Sequence, residues 1–100
     1  MNLSIEFRPQ AEAELYKSYD WYEEQEPGLG DRFRLELEET IALVETRPNS
    51  FPFVEETRFR RALLDKFPFV IIFTQENSTL VIASVFHTSR NPANLMDRIG

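Results

Sequence analysis

The last part of the chain carries the side chains best suited to acid–base chemistry. His87 is the only histidine; it follows an apolar run, and Arg90 and Arg98 come shortly after it. Imidazole can donate or accept a proton near neutral pH, and a guanidinium can stabilise a developing phosphorane without losing its own proton. Metal-free cleavage of RNA through the 2′-hydroxyl needs these two roles. A lone histidine at a strand end is also commonly a structural residue, so both interpretations stay open here.

Composition limits the other kinds of chemistry. The chain has 100 residues, which fits one domain over residues 1–100, and its 42% hydrophobic content is enough for a core. It has no cysteine and a single histidine, so we expect no disulfide, no metal site and no cofactor. No basic leader opens the chain and no apolar run approaches the roughly 20 residues that span a bilayer. We therefore expect a cytoplasmic protein that does not contact membranes.

The net charge of −6 conceals an uneven distribution along the chain. Residues 1–56 contain 14 acidic and 5 basic side chains, whereas residues 57–100 contain 3 acidic and 6 basic ones. Such a division can mean that one face meets an anionic partner while the other stays solvated. It can also mean only that helices contain more glutamate than strands do.

The first half of the sequence predicts a short strand followed by two helices. Leu3, Ile5 and Phe7 alternate with polar residues, which is the pattern of a half-buried strand. Pro9 suits the first turn of a helix that ends near Gln25, before the EPGLG stretch. Asp31 could cap a second helix, which Pro48 ends. The buried faces of these helices are predicted from helical spacing at Leu15, Tyr22, Phe33, Leu37 and Val44.

The second half has the periodicity of strands. RFRRALLD, FPFVIIFTQ and TLVIASVF are separated by linkers short enough for hairpins, so they should form an antiparallel meander. The last two are apolar on both faces, which indicates central strands covered on two sides. The predicted fold is α+β, in the order β-α-α-β-β-β, with a helical hairpin packed on a mainly antiparallel sheet.

This topology groups several cations with the histidine. The end of the third meander strand should approach the hairpin between the first two, so His87 is expected near Lys66, and Arg61 could extend toward the same end. We predict candidate catalytic and target-binding residues on this basis. The catalytic candidates are His87, Arg61 and Arg90, and the target-binding candidates are Arg58, Arg60, Lys66 and Arg98.

Motifs over almost the whole chain resemble the RelE/ParE superfamily, the toxins of type II toxin–antitoxin systems of the plasmid-stabilisation type. The matching stretches are AEAELYKSYDWYEEQEPGLGDRF, RRALLDKFPFVIIF and VFHTSRNP with a further Arg98. The resemblance implies the β-α-α-β-β-β fold, growth inhibition in the cytoplasm, a cognate antitoxin that neutralises the toxin, and oligomers formed through that antitoxin.

Function divides within this superfamily. RelE-like members cleave mRNA on the ribosome, some with a histidine that matches His87, whereas ParE-like members inhibit DNA gyrase. Val70 and Phe73 stand where the family often has a basic residue and a tyrosine, and Leu95 stands where related sequences have tryptophan. A net charge of −6 also suits binding to ribosomal RNA poorly. We therefore expect a toxin that binds gyrase; the alternatives are a ribosome-dependent endoribonuclease and an inactive protein-interaction module of the same fold.

Overall fold

The protein consists of a helical hairpin packed against a four-stranded sheet. The structure is a computed structural model and describes residues 3–89. The α+β fold predicted from the sequence is confirmed, and no helix among these residues is long and apolar enough to cross a membrane. The elements in chain order are β1 (Ser4–Phe7), α1 (Pro9–Gln25), α2 (Leu29–Thr46), a short 3-10 helix (Pro48–Ser50), β2 (Arg60–Leu63), β3 (Phe69–Glu76) and β4 (Thr79–His87).

The sheet has the strand order β1-β4-β3-β2, so the two most apolar strands are central, as predicted. β2, β3 and β4 form the expected antiparallel meander, whereas β1 pairs with β4 in parallel. β2 is shorter than the sequence pattern suggested, because the chain before it turns back on itself. In that turn Val54 N–H donates to the carbonyl of Phe59 at 2.8 Å, and the Thr57 hydroxyl donates to the carbonyl of Val54 at 2.8 Å.

The start of α2 differs from the prediction. The helix begins at Leu29, two residues before the expected cap at Asp31, and its N-cap is Gly28 with a φ of 90°, a conformation that glycine adopts without strain. The cap is supplied from α1, because the Glu23 carboxylate accepts the Gly28 N–H at 3.1 Å and the Asp31 N–H at 3.2 Å. The Asp31 side chain instead accepts the Tyr19 hydroxyl at 2.7 Å, and this hydrogen bond raises the pKa of Tyr19.

Both faces of the central strands are buried, by different parts of the chain. The helices cover one face, and the residues predicted to lie there are buried, except that Leu15 is only partly so. This larger core also contains residues of alternating position on β3, namely Phe69, Ile71 and Phe73. The opposite face packs partly against the segment between α2 and β2. Its buried residues are Val54, Phe59, Val70, Ile72, Ala83 and Phe86.

A buried carboxylate joins α1 to an irregularity in β4. The register between β3 and β4 shifts at Ile72 and Phe73, as in a β-bulge, so the regular ladder is interrupted there. Glu14 Oε1 accepts both the Ser84 hydroxyl and the Val85 N–H at 3.0 Å. Glu14 is only 9% exposed, and these two hydrogen bonds help to position α1 on the sheet.

Candidate functional site

His87 lies at the end of β4, on the face of the sheet that the helices cover. Its strand neighbour is Phe69, and the two rings meet edge to face with centroids 5.0 Å apart. The Ser89 N–H donates to His87 Nδ1 at 3.2 Å, and the Ser89 hydroxyl lies 2.6 Å from the same nitrogen. An amide N–H can only donate, so Nδ1 is the acceptor and the proton of the neutral ring is on Nε2. In this tautomer Nε2 can donate a hydrogen bond, whereas the lone pair of Nδ1 is already engaged by Ser89.

The imidazole lines a cleft of about 520 Å³ between α1 and the adjoining ends of β3 and β4. One face of α1 forms the helical wall, with residues spaced three, four and seven apart: Lys17, Asp20, Trp21 and Glu24. The sheet side is formed by Phe69, His87 and Ser89, with Tyr22 between the two walls. The cleft therefore combines aromatic surface with two carboxylates and one ammonium group.

Arg61 does not join this cleft. Its register partner on β3 is Ile72, whereas the partner of His87 is Phe69, an odd number of residues away. Successive side chains on a strand point to opposite faces, so Arg61 and His87 lie on opposite sides of the sheet. The structure does not bring these two candidate catalytic residues together.

The end of β4 does reach the hairpin between β2 and β3, as the topology predicted. The Thr88 N–H and the Thr88 hydroxyl both donate to the carbonyl of Pro68, at 2.8 and 3.2 Å. Lys66 nevertheless lines a different groove, of about 770 Å³, between this hairpin and α2. Its backbone is held there by Glu36, whose carboxylate accepts the N–H groups of Asp65 and Lys66 at 2.8 Å. Lys66 and His87 therefore lie near the same end of the sheet, on separate surfaces.

Arg58 and Arg60 lie at the opposite end of β2 and have partners of their own. Arg58 forms a salt bridge with Glu76 at 3.3 Å. Arg60 donates to the carbonyl of Phe51 at 2.6 Å and lies over the ring of Phe53, 3.8 Å from its centroid. These contacts fasten the segment before β2 to the sheet. The two other predicted cations, Arg90 and Arg98, lie outside the described residues.

Sequence reasoning missed the helical wall of the cleft. None of the α1 residues that line the cleft was among the predicted site residues. The signal that could have found the wall is the spacing of Lys17, Asp20, Trp21 and Glu24, which places an exposed tryptophan between two carboxylates on one helical face. The strand side could not be found this way, because pairing of Phe69 with His87 depends on the register.

Two helices on a four-stranded sheet with a parallel edge strand define the protein as a small α+β domain. The model of the family described as the ParE toxin of type II toxin–antitoxin system, parDE, matches residues 5–92. The chain belongs to this family, which confirms the resemblance found in its motifs.

A solved structure described as the chromosomal ParDE TA system from P. aeruginosa has the same fold. The match has a TM-score of 0.76 and 19% sequence identity, and it covers 87% of this chain and 97% of that one. Comparison of the sequence with curated proteins gave no significant match.

Proposed function

We propose that this protein arrests growth by binding DNA gyrase and that a co-encoded antitoxin neutralises it in the cytoplasm. We prefer a binding mechanism to RNA cleavage because of the residues that line the cleft at His87. Among residues 3–89 this cleft contains no guanidinium, and Asp20 and Glu24 line it.

An RNA-cleaving site has to stabilise negative charge on the reacting phosphate. Donors and cations aimed at that charge usually make the largest contribution to such catalysis. Here two carboxylates would repel the phosphate, and Arg61 is on the other side of the sheet. His87 could still transfer a proton, but general acid–base catalysis alone contributes only about 10²–10⁴-fold.

The exposed apolar residues support binding of an antitoxin. Leu35 and Leu43 lie exposed along α2 and line the groove beside Lys66. Leu63 is 66% exposed on β2, which is an edge strand and can accept a further strand. A helix in the groove or a strand on this edge are both established ways for a peptide to bind. Larger assemblies of toxin and antitoxin would then form through the antitoxin.

Two other functions each have one supporting observation. His87 lines an accessible cleft, which suits the ribosome-dependent endoribonuclease. The same ring is packed against Phe69 and hydrogen-bonded to Ser89, which suits an inactive interaction module.

Induced expression of the wild-type chain, three site variants and one control variant, followed by two assays on purified protein, separates these functions. We expect wild type to arrest growth and to inhibit DNA supercoiling by gyrase, and His87→Ala to do the same. Arg61→Ala or Arg90→Ala should weaken gyrase inhibition, because each removes a cation that can contact the target. Arg34→Ala, a change to an exposed arginine of α2, is the matched control.

Each contrary result has a definite meaning. Ribosome-dependent mRNA cleavage that His87→Ala lowers by roughly 10²–10⁴-fold would establish the nuclease instead. A wild-type chain that neither arrests growth nor inhibits gyrase would overturn the proposal. If all three site variants, at His87, Arg61 and Arg90, act like wild type, the residues assigned to the site are wrong.

A further inference from the structure

We propose that the cleft beside Trp21 receives a cationic side chain, arginine or lysine, from the antitoxin. This inference rests on the proposed function in naming the antitoxin as the source of the cation. The cleft itself is defined by α1 and by the ends of β3 and β4.

The first argument is the exposure of Trp21. Its side chain is 55% exposed, although tryptophan carries more apolar surface than any other residue. The indole packs against Tyr22, whose ring centroid lies 5.1 Å away with the two ring planes nearly perpendicular. Tyr22 is itself buried and packs against Phe33 and Phe67, so the indole contacts the edge of the main core. Among aromatic side chains, tryptophan offers the best face for a cation.

The second argument is the pair of carboxylates beside the indole. Asp20 and Glu24 are four residues apart on the helix and line the same cleft. Within residues 3–89, the acidic partners in salt bridges are Glu26, Asp31 and Glu76. Neither Asp20 nor Glu24 therefore forms a salt bridge with another described residue. An arriving guanidinium or ammonium can therefore stack on Trp21 and pair with carboxylate oxygens at the same time.

The charge of the surrounding surface favours the same occupant. Residues 9–46, which contain both helices, have 11 acidic and 3 basic side chains. This surface attracts cationic segments from a distance and repels nucleic acid. Lys17 lies at the end of the α1 wall away from Glu24, so the cation should bind toward Glu24. The aliphatic stem of the side chain can then cover Phe69 and Tyr22.

Intrinsic fluorescence tests the proposal directly, because Trp21 is the only tryptophan in the chain. The probe is a blocked pentapeptide with arginine flanked by leucines, and its control replaces arginine with citrulline, which has a similar shape without charge. We expect the arginine peptide to change Trp21 emission saturably and to bind at least about 5-fold more tightly than the citrulline peptide, the ratio that a modest cation–π and ion-pair contribution gives. Added salt should reduce the difference.

Matched substitutions locate the binding. Asp20→Asn and Glu24→Gln should each weaken binding of the arginine peptide severalfold, whereas Glu38→Gln, at an exposed position of α2 outside the cleft, should leave it unchanged. Circular dichroism of each variant checks that the fold is retained. Equal binding of the two peptides, or equal effects of Glu24→Gln and Glu38→Gln, would overturn the proposal.

A second measurement connects the cleft to the antitoxin. The product of the neighbouring small open reading frame, co-expressed with the toxin, should dissociate from Glu24→Gln at lower salt than from wild type and Glu38→Gln. Identical salt profiles would overturn the assignment of the cation to the antitoxin. A wild-type chain that binds the arginine peptide but causes no growth arrest would refute the proposed function and leave the cation site in place.

Discussion

Glu14, Glu23 and Glu36 lie on the helices, yet each carboxylate accepts backbone hydrogen bonds from another part of the chain. Glu14 binds the bulge of β4, Glu23 caps α2, and Glu36 holds the hairpin between β2 and β3. Hydrogen bonds to charged groups are each worth about 1.5–3 kcal/mol. Part of the negative charge of the helices is therefore structural, which distinguishes these residues from Asp20 and Glu24 in the cleft.

Tyr22 should make the free energy of unfolding depend on pH in the alkaline range. Burial raises its pKa above the ordinary value of 10.0, so the folded protein keeps the phenolic proton at a pH where the unfolded chain has lost it. The unfolded state then binds fewer protons, and stability is full below pH 10.0 and falls as the pH rises above it. We expect Tyr22→Phe to reduce this alkaline loss, measured by urea unfolding across the range.

Tyr16→Phe is the control for this prediction, because the Tyr16 side chain is exposed. An alkaline loss of stability that is identical in wild type and Tyr22→Phe would mean that another group causes it.

At the scale of elements, the two helices approach closely at Gly30. A Cβ at this position would lie 2.7 Å from the carbonyl oxygen of Tyr19 and 2.6 Å from Glu23 Cγ, so a larger residue would force the helices apart. Their shared buried face then covers the sheet, with Phe33, Leu37 and Val44 almost fully enclosed. The hairpin is therefore held to the sheet by packing as well as by the carboxylate contacts.

Leu37→Ala should test this packing. Leu37 is 1% exposed in the main core, and truncating a buried leucine costs about 2–5 kcal/mol through lost burial and the cavity that remains. Leu43→Ala makes the same chemical change on the same helix at a residue that is 49% exposed, so it should cost much less. Chemical denaturation of the two variants measures the difference, and similar losses would contradict the assigned buried face.

At the scale of the whole molecule, the two ends of the described chain are joined in the sheet. β1 pairs with β4 in parallel, so the sheet is complete only when the first and last strands have met. The same core contains residues of both helices and of β2, β3 and β4. An element that detached would expose this shared core, which favours a single cooperative unit.

We therefore expect one two-state unfolding transition. Trp21 fluorescence reports the cleft at the end of the sheet, whereas far-ultraviolet circular dichroism reports all helices and strands. The two signals should give the same midpoint and the same slope with urea. A fluorescence transition at clearly lower urea would show that the cleft opens before the rest of the molecule unfolds.

The sequence by itself determined the elements and their order. Helical spacing located the buried faces of α1 and α2, alternation located both faces of β3, and proline and glycine marked most ends. These signals are local, because each depends on residues within a few turns or one strand. The start of α2 was misplaced for the same reason: the side chain that caps it, Glu23, belongs to the other helix.

Only the tertiary structure decided which of the candidate site residues meet. Whether Arg61 shares a face with His87 depends on the register of three strands, and a shift of one residue would reverse the answer. The cleft likewise depends on how α1 crosses the end of the sheet, which the buried contacts of Glu14 and Tyr22 fix. The sequence shows that the chain contains these aromatic and acidic residues. Only packing between distant segments brings Trp21, Asp20 and Glu24 to the same cleft as His87.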